Sequence, residues 1–265
     1  MYTVVSFIGN REKNNHMHTK TKKRLFSRIT IVLGVFALLN FGFSVPNPGF
    51  SEKASVTQPV ISSFGEKIFL YDKLDLASLG LSKQAFTYAL AGFSHLINDG
   101  KIIKENILSI LDFSLPSGKK RLFVIDLSEE RLVFNTYASH GKNSGKIIPT
   151  DFSNQNNSNK TSLGFYITGD IYQGKNGYSL RLEGEEENIN NNAFARGIVM
   201  HGAAYVNEQL ASAQGFIGRS QGCPALPKKQ SRNIIERIKN GTCLFIYSPD
   251  KYYISHSKMI QDTQS

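Results

Sequence analysis

Beyond Pro116 the chain changes its hydrophobic period, and that change limits what it can fold into more than any other feature. Runs of Val, Ile, Phe and Tyr recur at short intervals: RLFVIDL from Arg121, RLVFNTYAS from Arg131, GFYITG from Gly164, YSLRLEG from Tyr178, RGIVMHG from Arg196 and TCLFIY from Thr242. Only Ser128, Glu129 and Glu130 separate the first two, which predicts a β-hairpin. Polar loops divide the later runs, among them DFSNQNNSNKTS (Asp151 to Ser162) and EGEEENINNNAF (Glu183 to Phe194). Short strands with Gly and Asn turns favour a mainly β fold, a sandwich or barrel, over alternating βαβ units. One late helix is expected from about Lys228 to Lys239, because Ile234, Ile235 and Ile238 share a face and Gly241 follows.

Before Pro116 the period is helical. Phe86, Leu90, Phe93 and Ile97 fall on one face, with Ser82 as N-cap and Gly100 past the end. A shorter apolar pattern from Ile102 to Phe113 predicts a second helix packed on the first. The expected organisation is therefore a helical part at 68–116, a β-rich catalytic domain at 117–250 and a C-terminal tail at 251–265. Residues 45–67 are rich in Pro, Ser and Gly without apolar periodicity and read as a linker.

The N-terminal 1–44 segment carries a basic stretch, TKTKKRLFSR, followed by the apolar run Ile29 to Phe43 and small residues at Gly42 and Ser44. That order is the pattern of a secretory signal peptide. Met17 is an alternative start, since a signal beginning there has the usual length. An uncleaved single-pass anchor is the competing reading, although the run is shorter than the ~20 residues that span a bilayer. Export predicts the periplasm or cell envelope, with membrane contact only through this segment if it is uncleaved. Seven Lys and Arg against one acid give 1–44 a charge of +6 out of the chain's +10, which leaves +4 for the rest. The remaining charges are interspersed, so nucleic acid is not expected as a partner.

The chemistry-bearing stretch runs from Met200 to Pro227, MHGAAYVNEQLASAQGFIGRSQGCPALP. His201 ends an apolar run, and Cys223 lies among Gly218, Ser220 and Gly222. A thiol attacks a carbonyl when a neighbouring base favours the thiolate and backbone N–H groups receive the oxyanion. Glycines beside the cysteine let the chain turn and present such groups. Two bland readings stand beside this one. Cys223 and Cys243 would close a disulfide loop of about 20 residues, although Cys243 sits in a run that reads as a buried strand. His201 alone would be a satisfied core histidine. Zinc is not expected, because Cys223, Cys243, His201 and His140 lack the close paired spacings of zinc ligands. The acids Glu183 and Glu185 to Glu187 read as a solvated loop.

The segments HGAAYV (His201 to Val206) and GRSQGCPALP (Gly218 to Pro227) resemble those of the murein L,D-transpeptidase catalytic domain family, the YkuD-like enzymes, in the branch with Pro-Ala after the cysteine. So do VIDL from Val124, SHGKNSG from Ser139, FSN from Phe152, TSLGFYITG from Thr161, YQGKNGYSLRLEG from Tyr172 and RGIVMHG from Arg196. The resemblance spans about Phe86 to Tyr247. It implies a cysteine enzyme that cleaves the bond before the terminal D-Ala of a peptidoglycan stem tetrapeptide, without a cofactor or metal. The acyl group then passes to an amine on a neighbouring stem or on an envelope lipoprotein. By the same resemblance Cys223 is the nucleophile, His201 the general base and the Gly202 carbonyl its orienter. The N–H groups of Gly222 and Cys223 are oxyanion candidates, with Ser220 supporting the turn. Arg219, Tyr205 and His140 are weaker candidates for substrate contact. The chain departs from the wider family at Gln221 and at Pro224-Ala225, which bears on donor recognition. Hydrolysis of the same acyl-enzyme by an L,D-carboxypeptidase, and a non-catalytic peptidoglycan-binding envelope protein, are the alternatives.

Overall fold

The computed structural model describes residues 67–261. The expected signal segment, its alternative start at Met17 and all but the last residue of the 45–67 linker lie outside the described residues. In the described part a short helix α1 (Leu70–Lys73) and the long α2 (Lys83–Asn98) precede the strands. Strands β1 (Ile107–Asp112), β2 (Leu122–Asp126), β3 (Arg131–Thr136), β4 (Gly164–Gly174), β5 (Gly177–Gly184) and β6 (Val199–Ala203) follow. Then come α3 (Glu208–Gln214), β7 (Ala225–Pro227), α4 (Lys228–Ile238), β8 (Cys243–Tyr247) and α5 (Lys251–His256).

All eight strands form one mixed sheet in the order β3-β2-β1-β8-β4-β5-β6-β7. Only β1 with β8 and β6 with β7 run parallel; the other pairs are antiparallel. The two ends nearly meet. Ser139, just beyond β3, donates its N–H to Ala225 O of β7 at 2.8 Å, and Ala225 N–H returns to Ser139 Oγ at 3.2 Å. Gly141 and Ser220 form an isolated parallel bridge beside this contact. The fold is thus mainly β and barrel-like, as the change of period predicts, and the ring closes beside Cys223.

The hairpin expected at Arg121 to Ser139 is β2–β3, and α2 and α4 match the expected first and late helices. Ser82 caps α2 by accepting Ala85 N–H at 3.3 Å. The second helix expected at Ile102 to Phe113 is instead β1, a central strand flanked by β2 and β8. All six of its residues are buried, Ser109 and Asp112 included. A short apolar run buried on both faces carries no alternation, so its period does not distinguish it from a buried helix. Helix α3 is not expected from the sequence; Asn207 caps it through Leu210 N–H at 2.8 Å, and Gly215 ends it in the left-handed conformation.

The core joins α2, the central strands and α4. Phe165 of β4 stacks on Phe245 of β8 at 4.2 Å, and Ile234, Ile235 and Ile238 of α4 are fully buried. Tyr253 of α5 and Ile260 are buried in the same core. The Glu183 to Phe194 loop is not wholly solvated. Glu186 is buried and accepts Phe165 N–H at 2.8 Å, Tyr253 OH at 3.2 Å and the Ser257 hydroxyl. Burial pushes its carboxyl pKa up. The carboxylate ties the loop and the residues after β8 to the start of β4.

Candidate active site

Strand β6 carries His201 and lies between β5 and β7. In register, His201 is level with Ser179 on one side and Ala225 on the other. The parallel pairing puts Cys223 just ahead of β7, beside the start of β6. Val199 N–H points at Cys223 Sγ at 3.5 Å, and the thiol faces Gly197 O at 3.8 Å. The thiol and the imidazole line one cavity of about 600 Å³, with Gly202, Tyr205, Arg219 and Ser220 also on its wall.

Two glycines make this placement possible. Gly202 is where α4 meets β6: a Cβ there would lie 2.4 Å from Ser231 Oγ and 3.3 Å from Lys228 Cα. Gly222 has φ +124°, which side chains rarely adopt, and a Cβ on it would meet Lys160 O at 2.9 Å. The turn it makes is locked by Ser220, whose hydroxyl donates to Cys223 O at 2.6 Å and accepts Gly222 N–H at 3.1 Å. The Gly222 N–H is therefore engaged within the turn in this conformation.

The electrostatics define the resting protonation states. Burial pushes the Cys223 thiol pKa up; Val199 N–H, Arg196 and Lys175 oppose this only in part. Burial pushes the His201 pKa down. His201 Nδ1 lies 3.1 Å from Gly202 O. A carbonyl only accepts, so Nδ1 carries the proton and Nε2 is left as the basic nitrogen. The resting pair is a neutral thiol with a neutral imidazole rather than a preformed thiolate. Cys243 is also a free cysteine, fully buried in β8, so the two cysteines do not form the alternative disulfide.

Arg196 is a site residue that the sequence reading does not single out. Its Nη1 donates to Ser153 O at 2.7 Å and to the Ser162 hydroxyl, and its Nη2 to Lys160 O at 2.7 Å and Ser158 Oγ at 3.1 Å. It pins the 153–162 loop over the Gly222 turn and holds its charge near the thiol. Its position at the head of the RGIVMHG run is the one signal the sequence offers. Arg219 is exposed and fixed, with Nη1 donating to Lys142 O at 2.9 Å and Gly145 O at 3.1 Å. Tyr205 accepts Gly218 N–H on its carbonyl at 2.8 Å and lines the cavity.

His140 is not brought to the cavity. It is fully buried, with Nδ1 2.7 Å from Arg121 Nη2 and Nε2 3.0 Å from Gly145 O. Arginine only donates, so Nδ1 accepts and Nε2–H donates to the carbonyl. Burial and the neighbouring guanidinium push its pKa down to about 4. Arg121, itself fully buried, also donates to Ala138 O at 2.9 Å and Leu115 O at 3.0 Å. His140 thus braces the loop on which Arg219 rests.

The chain is similar to several solved structures. An L,D-transpeptidase from Mycobacterium smegmatis aligns at 12% identity and TM-score 0.35, over 54% of this chain and 59% of that one. L,D-transpeptidase 3 from Mycobacterium tuberculosis aligns at 13% identity and TM-score 0.33, over 54% and 61%. An L,D-transpeptidase from Stackebrandtia nassauensis aligns at 15% identity and TM-score 0.34, over 62% and 67%. The chain thus spans about three fifths of the length of the mycobacterial relatives. No curated protein matches it. The assignment rests on the model of the L,D-transpeptidase catalytic domain, which matches residues 77–247. That match covers well over half of the sequence, so the chain belongs to the L,D-transpeptidase catalytic domain family.

Proposed function

We propose that the protein is a peptidoglycan L,D-transpeptidase with Cys223 as nucleophile and His201 as general base. The observation that carries this reading is the shared cavity: a thiol cradled by Gly197 O and Val199 N–H, with an imidazole whose Nδ1 is committed to Gly202 O. Because the resting thiol is neutral, His201 Nε2 takes its proton as sulfur attacks the carbonyl before the terminal D-Ala. The imidazolium then returns that proton to the departing D-Ala nitrogen as the C–N bond breaks, which leaves a thioester on Cys223. An acceptor amine attacks the thioester, His201 takes the amine's surplus proton and passes it to the departing sulfur as the C–S bond breaks, and the neutral thiol and imidazole are restored. Ser220 and Arg196 are positioning residues, the first fixing the nucleophile's turn and the second the loop over it. Substrate-side opening of the Ser220 to Gly222 contact would free a backbone N–H for the oxyanion. Action on peptidoglycan implies an envelope location, and an envelope lipoprotein remains within the class of amine acceptors.

Hydrolysis is the second reading, and a specific observation keeps it. Asp151, Glu183 and Glu185 to Glu187, the acids of the two long loops, do not line the cavity, so no carboxylate among them stands at the site to draw an ammonium acceptor. Incubation of the purified protein with disaccharide-tetrapeptide separates the two. Dimers linked between third residues are expected; release of D-Ala with tripeptide as sole product, at high acceptor concentration, identifies an L,D-carboxypeptidase. No turnover, with sacculus binding unchanged in Cys223→Ala, leaves a binding protein.

A further inference from the structure

The family match ends at residue 247, yet the residues after it are built into the core. Asp250 caps α5 by accepting Tyr253 N–H at 2.8 Å, and Tyr253 and Ser257 then turn their hydroxyls to the buried Glu186 carboxylate. Two of the three donors that hold this carboxylate thus come from the tail, and the third is Phe165 N–H of β4. Among the described residues no Lys or Arg forms an ion pair with it. From Glu186 a run of hydrogen bonds leads to the nucleophile. Its N–H donates to Asn190 Oδ1 at 2.9 Å, Ala193 N–H to Asn190 O at 2.8 Å and Arg196 N–H to Asn192 O at 2.9 Å. The Arg196 guanidinium grips the 153–162 loop, and Asn154 joins the two loops a second time, through Asn191 Oδ1 at 2.7 Å and Asn192 N–H at 3.1 Å. The gripped loop meets the nucleophile's turn where Thr161 Oγ1 donates to Gly222 O at 3.2 Å.

A buried carboxylate without a cation keeps its place only while its donors remain, because a desolvated polar group that loses them is costly. Removal of the two tail hydroxyls leaves Glu186 one donor, and the loop that carries it then loses its tie to α5. We infer that Tyr253, Ser257 and Glu186 are positioning residues for Cys223. The tail clamps the carboxylate, the carboxylate fixes the loop that ends in Arg196, and Arg196 sets both the charge beside the thiol and the loop against its turn. The other titratable side chains at the cavity, Lys142, Lys175, His201, Tyr205 and Arg219, lie outside this run of contacts. The inference rests on Cys223 as nucleophile and adds to it a clamp that lies beyond the family region.

The test makes the paired change Tyr253→Phe with Ser257→Ala in the parent chain and again in an Arg196→Lys chain, which keeps the charge and loses the planar fork. Two quantities are measured on folded protein: the pH midpoint of Cys223 alkylation by iodoacetamide, and the maximal rate and half-saturating concentration of Cys223 acylation by a stem tetrapeptide. Loss of the clamp is expected to raise the alkylation midpoint, because the guanidinium's pull on the thiolate weakens. It is expected to lower the maximal acylation rate about 3- to 10-fold, with the half-saturating concentration held within about twofold. In the Arg196→Lys chain the same pair is expected to add less than about twofold, since the clamp acts through that side chain. An unmoved midpoint in the parent chain, or an equal loss in both chains, overturns the inference. If the paired change does not fold, Tyr253→Phe alone removes one oxygen, leaves the ring in the core and is judged by the same two criteria. A parent protein that the tetrapeptide does not acylate overturns the transpeptidase reading, and the alkylation midpoint still decides the positioning role.

Discussion

His140 and His201 each precede a glycine at the end of an apolar run, yet the two regions use the imidazole in opposite ways. His140 has both nitrogens committed, one to a buried guanidinium and one to Gly145 O. His201 has one nitrogen committed to Gly202 O, and the residue lines a cavity. The cysteines divide along the same line: Cys223 turns its sulfur to the cavity wall, and Cys243 is sealed in β8. The proposed mechanism needs side chains that reach a cavity, and both sealed residues are held away from it.

The largest effect should separate the cysteines. Cys223→Ala is expected to abolish acyl-enzyme formation, whereas Cys243→Ala should retain it with a lower melting temperature, as intact-mass analysis and thermal unfolding would show. Adduct on Cys243 in native protein, with Cys223 unmodified, would break the comparison.

The histidines should separate next. His201→Gln is expected to lower acylation kcat/KM by about 10²- to 10⁴-fold with little change in melting temperature. His140→Gln, which can still accept from Arg121 and donate to Gly145 O, should keep acylation within a few-fold. Equal losses in both variants would show that the distinction is wrong. Because burial lowers the His201 pKa below 6.5, the base stays neutral at that pH. The acid limb of the wild-type acylation profile should therefore have its midpoint below 6.5.

The sealed histidine makes its own prediction about pH. Its folded pKa of about 4 lies below the ordinary 6.5, so between those values the unfolded chain binds a proton that the folded domain does not. Its stability contribution is full above pH 6.5 and is lost as pH falls toward 4, by on the order of 2–3 kcal/mol. Denaturant titrations should show that loss in the parent protein, reduced in His140→Gln. An identical pH slope in both proteins counts against the burial of His140 as drawn.

A smaller effect belongs to the platform beneath His201. Gly202→Ala sets a methyl 2.4 Å from Ser231 Oγ, and should cost about 1–3 kcal/mol by pushing α4 from β6. Ser231→Gly in the same chain should recover part of that loss in a double-mutant cycle. Strict additivity of the two changes would place the contact elsewhere.

Much of this architecture is legible in the residues themselves. The hairpin, the later strands and two helices follow from period and punctuation, and the paired segments around His201 and Cys223 mark the chemistry. Strand β1 is not legible in this way, because a strand buried on both faces has no alternation to read. Arg196 escapes notice because an arginine in a loop carries no local sign of the four groups it will bind. The glycine-rich setting of His140 suits a cleft residue and a buried brace equally well.

By itself the sequence determined the mainly β character of the chain after Pro116 and supplied the candidate pair His201 and Cys223 with the glycines its turn requires. These are local properties, set by side-chain periodicity and backbone freedom within a few residues. Tertiary structure alone decided that β6 and β7 run side by side, which brings residues 201 and 223 to one cavity. It also decided that Arg121 reaches His140 and that the ring closes at Ser139 and Ala225. Each of these joins segments far apart in the chain, where pairing depends on the packing of the whole sheet and leaves no trace in any short window.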